Sequence, residues 1–69
     1  MKECIEVYKV YTNGEIVYEK VGEGNIEKIE YHSPQGEGDA HYCDIIYNTG
    51  ITKRVFKPDT VTFAATVYI

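Results

Sequence analysis

The chain contains no leucine. Leucine stands near the top of the helix scale, and a helical domain without it is hard to build. In its place Ile, Val, Thr, Tyr and Phe supply 30 of the 69 residues (8, 7, 6, 7 and 2), against three Ala. β-Branched and aromatic side chains lose rotamer freedom in a helix and fit the pleated, half-buried surface of a sheet. The expectation is an all-β fold. Residues 1–69 allow one domain, and a chain of this length buries only about 60% of the surface it exposes when unfolded. A small core with no room for a deep pocket favours a binding module over an enzyme.

Turn chemistry divides the chain into six strands. Residues 3–11 read as the first, and Thr12-Asn13-Gly14-Glu15 follows. Asn-Gly is the strongest short hairpin signal, because both residues accept positive φ. Residues 16–21 form the second strand, Gly22-Glu23-Gly24 a turn or bulge, and residues 25–32 the third. Ile26 and Ile29 are three apart, a spacing that fits a helix or a bulged strand. Gly24 before and Ser33-Pro34 after leave room for only two helical turns, so a strand with a bulge near Glu27-Lys28 is expected. Ser33 to Asp39 is the longest loop. Residues 41–48 alternate, with Cys43, Ile45 and Tyr47 on one face and Tyr42, Asp44 and Ile46 on the other. Thr49-Gly50 turns into strand 51–56, Lys57-Pro58-Asp59-Thr60 reads as a single 3₁₀ turn, and residues 61–68 form the last strand. Short strands with Gly-rich turns predict a bent meander closing on itself, a small SH3-like (Tudor-type) barrel of five to six antiparallel strands. Five strands complete such a barrel, so one terminal segment is expected to be an addition.

The net charge is −4 and unevenly spread. Residues 15–39 carry seven acids and two bases, whereas residues 40–69 carry a balance of +1 from Lys53, Arg54, Lys57, Asp44 and Asp59. Counterion release from phosphates needs a concentrated positive field. Tight binding to duplex nucleic acid is therefore not expected, and an acidic face suits a basic protein patch. The apolar runs are too short for a membrane span, and no signal-peptide core follows Met1, so the chain reads as soluble and cytoplasmic. Cys4 and Cys43 are too few for a disulfide scaffold and are expected as reduced thiols.

Residues 16–30 read Ile-Val-Tyr-Glu-Lys-Val-Gly-Glu-Gly-Asn-Ile-Glu-Lys-Ile-Glu. This resembles the opening of two Tudor/SH3-like domains: the RNA polymerase-interacting domain of CarD-type regulators and transcription-repair coupling factors, and the C-terminal Tudor-like domain of UvrD/PcrA-type helicases. Val17-Tyr18 match the strand pair, Gly22 and Gly24 the turn, and Ile26 and Ile29 the following strand. Tyr42 to Tyr47, Asn48-Thr49-Gly50, Lys53-Arg54-Val55 and Pro58-Asp59 before Val61 continue the likeness over about residues 15–63. The resemblance implies docking on bacterial RNA polymerase, which the CarD type achieves by strand pairing. No partner-contacting residue carries over.

Other constellations are weaker. His41-x-Cys43 with His32 and Asp39 nearby contains good metal ligands, but Cys4 is the only other thiol and Cys43 reads as a core residue, so neither a metal nor a cofactor is expected. Cys43 beside a His lacks any third orienting group or oxyanion hole, so no catalytic residue is expected. Seven tyrosines exceed what one small core can hide. They suit cross-strand pairing, protein anchoring, base stacking or a cage for methylated cations. Residues 61–68 end without charge or Pro, a strand edge that needs covering. The expected interaction surface is therefore Tyr68 with Tyr42 and Ile46. Its partner would be a protein, RNA polymerase first. The alternatives are a host protein blocked by a phage or mobile-element product, a nucleic acid bound through Lys53, Arg54 and Lys57, and a second copy paired through the terminal strands.

Overall fold

The structure, a computed structural model, describes residues 2–63. They form six antiparallel strands and no helix: β1 (Lys2–Val10), β2 (Ile16–Lys20), β3 (Ile26–His32), β4 (Tyr42–Tyr47), β5 (Thr52–Phe56) and β6 (Thr60–Phe63). The sheet curls into a half-barrel of the SH3-like kind. With no helix, nothing among these residues is a helix long and apolar enough to cross a membrane.

The lanes of the sheet correct one expectation. Glu6, Val7 and Tyr8 each pair with β2 on one edge of β1 and with β6 on the other. Cys4 pairs with β3 and with β6. β2 and β3 therefore lie in series along the same edge of β1. They are two halves of one bent strand, interrupted at residues 21–25. The sixth strand is this split, and no terminal addition is needed among the described residues. At the interruption Glu23 N donates to Lys20 O (3.1 Å) and Ile26 N to Glu23 O (3.0 Å), while Asn25 O accepts from Asn48 N at 2.9 Å. These bonds hold the chain where it leaves the sheet and rejoins it.

Both tight hairpins use one geometry. Gly14 N donates to Tyr11 O (3.0 Å) and Tyr11 N to Glu15 O (2.8 Å). Gly50 N donates to Tyr47 O (3.1 Å) and Tyr47 N to Ile51 O (2.9 Å). Each loop has three residues, and the third is a glycine at φ 87° or 90°. Asn13 does not take positive φ as the Asn-Gly signal suggested. Its Oδ1 instead accepts from Glu15 N at 2.9 Å, because a three-residue loop needs only its last residue left-handed.

A bulge between Ile26 and Lys28 shifts the β3–β4 register, as the isoleucine spacing predicted. The extra residue puts Ile26 and Ile29 on the same buried side. A second bulge, between Cys4 and Glu6, bends β1 where it passes from β3 to β2. The expected 3₁₀ turn at residues 57–60 is absent. Lys57 takes φ 46° and Pro58 has no N–H to give. The corner is held by other strands instead: Lys57 N donates to His41 O (2.8 Å) and Asp59 N to Tyr8 O (2.9 Å). Val10 N donates to Asp59 Oδ2 at 2.7 Å, and Lys9 Nζ to Lys57 O at 2.9 Å. These bonds tie the end of β5 to β1 and close the curl.

Inside lie Cys4, Val7, Val17, Ile26, Ile29, Cys43, Ile45 and Val55, flanked by Tyr11, Val21, Tyr31, Tyr47 and Val61. Ile45, fully buried, sits at the centre of this small core. Ile45→Val should lower the unfolding free energy by about 1 kcal/mol, within the usual range for removing one buried methyl group. Urea titration should show a lower midpoint at unchanged slope.

Cys4 and Cys43 are both buried and free. Burial pushes the Cys43 thiol up to about 12, and the neighbouring Cys4, itself raised by burial, adds to it. The thiolate is the reactive form, so both thiols should label slowly in the native state and fast once unfolded. The folded value exceeds the ordinary one of 9.0. The protonated thiol's contribution to stability is therefore whole below that pH and is lost as pH rises towards the folded value. Urea unfolding across alkaline pH should show this loss, and Cys43→Ala should show less of it.

Candidate functional site

Strand alternation sends one set of side chains of β3, β4 and β5 outward, and the register arranges them in three rows. His32, Tyr42 and Phe56 form the first. Glu30, Asp44 and Arg54 form the second. Lys28, Ile46 and Thr52 form the third. The first row is aromatic throughout. His32 and Tyr42 stack with ring centroids 4.7 Å apart and planes 14° from parallel, and Tyr42 lies 5.8 Å from Phe56.

Charge orders the second row. Arg54 Nε and Nη2 donate to Asp44 Oδ1 and Oδ2 at 2.8 and 3.1 Å, a two-pronged contact. The carboxylate pushes Arg54 further up. From there the guanidinium carbon lies 4.1 Å from the Tyr42 centroid and 6.0 Å from that of Phe56. Lys28 Nζ pairs with Glu30 at 2.9 Å, which raises the lysine. His32 Nε2 lies 3.7 Å from both Glu30 Oε2 and Asp44 Oδ2. It is shielded from solvent and makes no hydrogen bond. Three strands are thus laced together on their solvent side, and the Tyr42 ring is flanked by His32 and Arg54.

Beside the aromatic row the loop after β3 leaves a hollow of about 440 Å³. His32, Tyr42 and Phe56 form one wall, and Ser33, Gln35, Asp39 and Ala40 the other. Phe56 is 53% exposed.

The expected surface residues Tyr42 and Ile46 share this outer face, two rows apart. Tyr68 lies outside the described residues, as does the end of the expected strand 61–68. The basic trio is not brought together. Arg54 belongs to the outer face and is neutralised by Asp44. Lys53 faces the opposite way, 3.4 Å from Glu19 of β2. Lys57 turns with the β5–β6 corner. The cause is legible in the chain, since neighbours on a strand point to opposite faces. His41 and Cys43 both adjoin Tyr31, which pairs with Cys43 across β3 and β4. His41 Nδ1 lies 3.3 Å from the Tyr31 hydroxyl, while Cys43 is sealed in the core beside Cys4. Among the described residues no group of three or more His, Cys, Asp and Glu is arranged to hold a metal ion.

A second exposed apolar surface was not among the expected sites. Tyr8 pairs directly with Tyr18, and Val10 with Ile16, on the outer face of the β1–β2 hairpin. Tyr18 and Ile16 are more than half exposed, and the Tyr18 hydroxyl donates to Glu6. The signal lay in β2, where Val17 takes the core and leaves Ile16 and Tyr18 outside.

Comparison with known protein families, with curated proteins and with solved structures finds no match to this chain.

Among the described residues Lys28, Lys53 and Arg54 are each paired with a carboxylate, whereas phosphate binding draws on a concentrated positive field. Random-sequence duplex DNA should not bind with a submicromolar Kd at about 0.15 M salt, where the Debye length is about 8 Å. A fluorescence anisotropy titration checks this.

Proposed function

We propose that this domain acts by binding another protein, without chemistry of its own, and that the outer face of β3, β4 and β5 is the contact surface. One observation carries the reading: the exposed Phe56 ring stands beside a Tyr42 ring already clasped between His32 and the Asp44-bound Arg54. Binding energy in protein interfaces concentrates in Tyr, Trp and Arg anchors. Anchors held rigid in the free protein lose less freedom on binding. The alternative of a nucleic acid is disfavoured by the same geometry, since both cations of this face are paired, Arg54 with Asp44 and Lys28 with Glu30.

RNA polymerase is the partner we place first. The support is the sequence pattern over about residues 15–63. The reading is tested with purified bacterial RNA polymerase in a surface-binding assay. Tyr42→Ala and Phe56→Ala should each weaken binding about tenfold or more, a loss of about 1.4 kcal/mol. Circular dichroism should confirm that both variants stay folded. A wild-type domain that ignores the polymerase removes that partner. Variants that bind as well as wild type remove the face.

A further inference from the structure

We propose that the hollow beside Phe56 is an anchor pocket for an arginine side chain of the protein partner. The proposal rests on the protein-binding reading and adds the chemistry of what is recognised.

The charges come first. None of the seven residues lining the hollow is Lys or Arg, and Asp39 contributes a carboxylate. The loop from Ser33 to Asp39 adds Glu37 and no base. The chain as a whole carries −4. Arg54, the cation that lies over Tyr42, is occupied by Asp44. An anion entering the hollow would meet the Asp39 carboxylate and no lysine or arginine in the lining. A purely apolar group would offer nothing to the Ser33 hydroxyl or the Asp39 carboxylate as it displaced their water, whereas Gln35 Nε2 already donates to Ser33 O at 3.2 Å. A metal ion would find one carboxylate where it needs several ligands. A cationic side chain with an apolar stem meets all the walls. Its stem lies against Phe56 and the edge of Tyr42, and its head reaches Asp39.

Arginine fits better than lysine, and the same face shows why. Arg54 is held by a carboxylate fork at 2.8 and 3.1 Å while its guanidinium carbon lies 4.1 Å from the centre of an aromatic ring. The hollow offers the same two elements again, the Asp39 carboxylate and the open face of Phe56. A planar, five-donor guanidinium uses both at once, whereas an ammonium is a more strongly hydrated point charge. The hollow's volume of about 440 Å³ admits the whole side chain.

The test needs no partner protein. Amide shifts of the full chain are followed by NMR during titration with acetyl-Gly-Gly-Arg-Gly-Gly-amide. The same peptide with citrulline, which keeps the shape and removes the charge, is the control, and a lysine peptide is a third arm. The arginine peptide should give saturable shifts confined to Ser33–Ala40, Tyr42 and Phe56, with a Kd on the order of millimolar. Citrulline should bind about tenfold more weakly or worse, and lysine should fall between. Asp39→Asn and Phe56→Ala should each cut arginine binding several-fold, and Glu15→Gln, remote from the hollow, should not. Equal binding of citrulline, shifts that map elsewhere, or an unchanged response in Asp39→Asn would overturn the proposal. An arginine-blind hollow on a domain whose variants still lose RNA polymerase defeats only this inference. A responsive hollow on variants that keep the polymerase defeats only the face.

Discussion

Strand β1 is paired along both of its edges, and the curl of the sheet follows from that. One edge must serve β2 and β3 in turn, and the other serves β6. A straight strand cannot do this while the sheet on either side bends. The bulge between Cys4 and Glu6 gives β1 its change of direction, and the interruption at residues 21–25 lets its neighbour follow. Once β1 is bent, Cys4 and Val7 point into the same interior as Ile29, Ile45 and Val55. The core is small because the chain is small, so closure matters more here than in a larger domain.

Closure also positions the outer face. The corner at Lys57–Asp59 is anchored to β1 and to the start of β4 by backbone and side-chain hydrogen bonds. That anchoring sets the end of β5, and Phe56 with it, against Tyr42. Across the opening, Lys53 and Glu19 link β5 to β2. The ion pairs of the outer face are solvent-exposed, and such pairs are each worth only about 0–1 kcal/mol of stability. Their consequence is orientation. Asp44 aims Arg54 over Tyr42, and the stack leaves Phe56 open beside the loop that carries Asp39.

Two surfaces thus stand apart on one small barrel. The β3–β5 face combines rings with ordered charge and a hollow. The β1–β2 hairpin face is a flat ladder of Tyr8, Tyr18, Val10 and Ile16. The first has polar groups that can set the identity of a partner, and the second has chiefly apolar area. Specific recognition needs groups whose misplacement is costly, and the first surface carries more of them.

Much of this was legible in the chain by itself. The lack of leucine and the wealth of β-branched and aromatic residues pointed to an all-β fold, because those side chains suit a pleated, half-buried surface better than a helix. The hairpins at Asn13-Gly14 and Thr49-Gly50, the bulge between Ile26 and Lys28, and the core face of Cys43 and Ile45 follow from local chemistry and a period of two. That same period separates Lys53 from Arg54, a consequence a reading by charge clusters passes over. Only the tertiary structure decided that β2 and β3 are one strand in two pieces, since local turn signals look the same whether the chain reverses or resumes. It alone placed Arg54 on Tyr42 and Phe56 beside Asp39. Those residues lie far apart along the chain, and their meeting depends on the register of three strands. Register is set by which side chains the closed core accepts, a property of the whole barrel rather than of any segment.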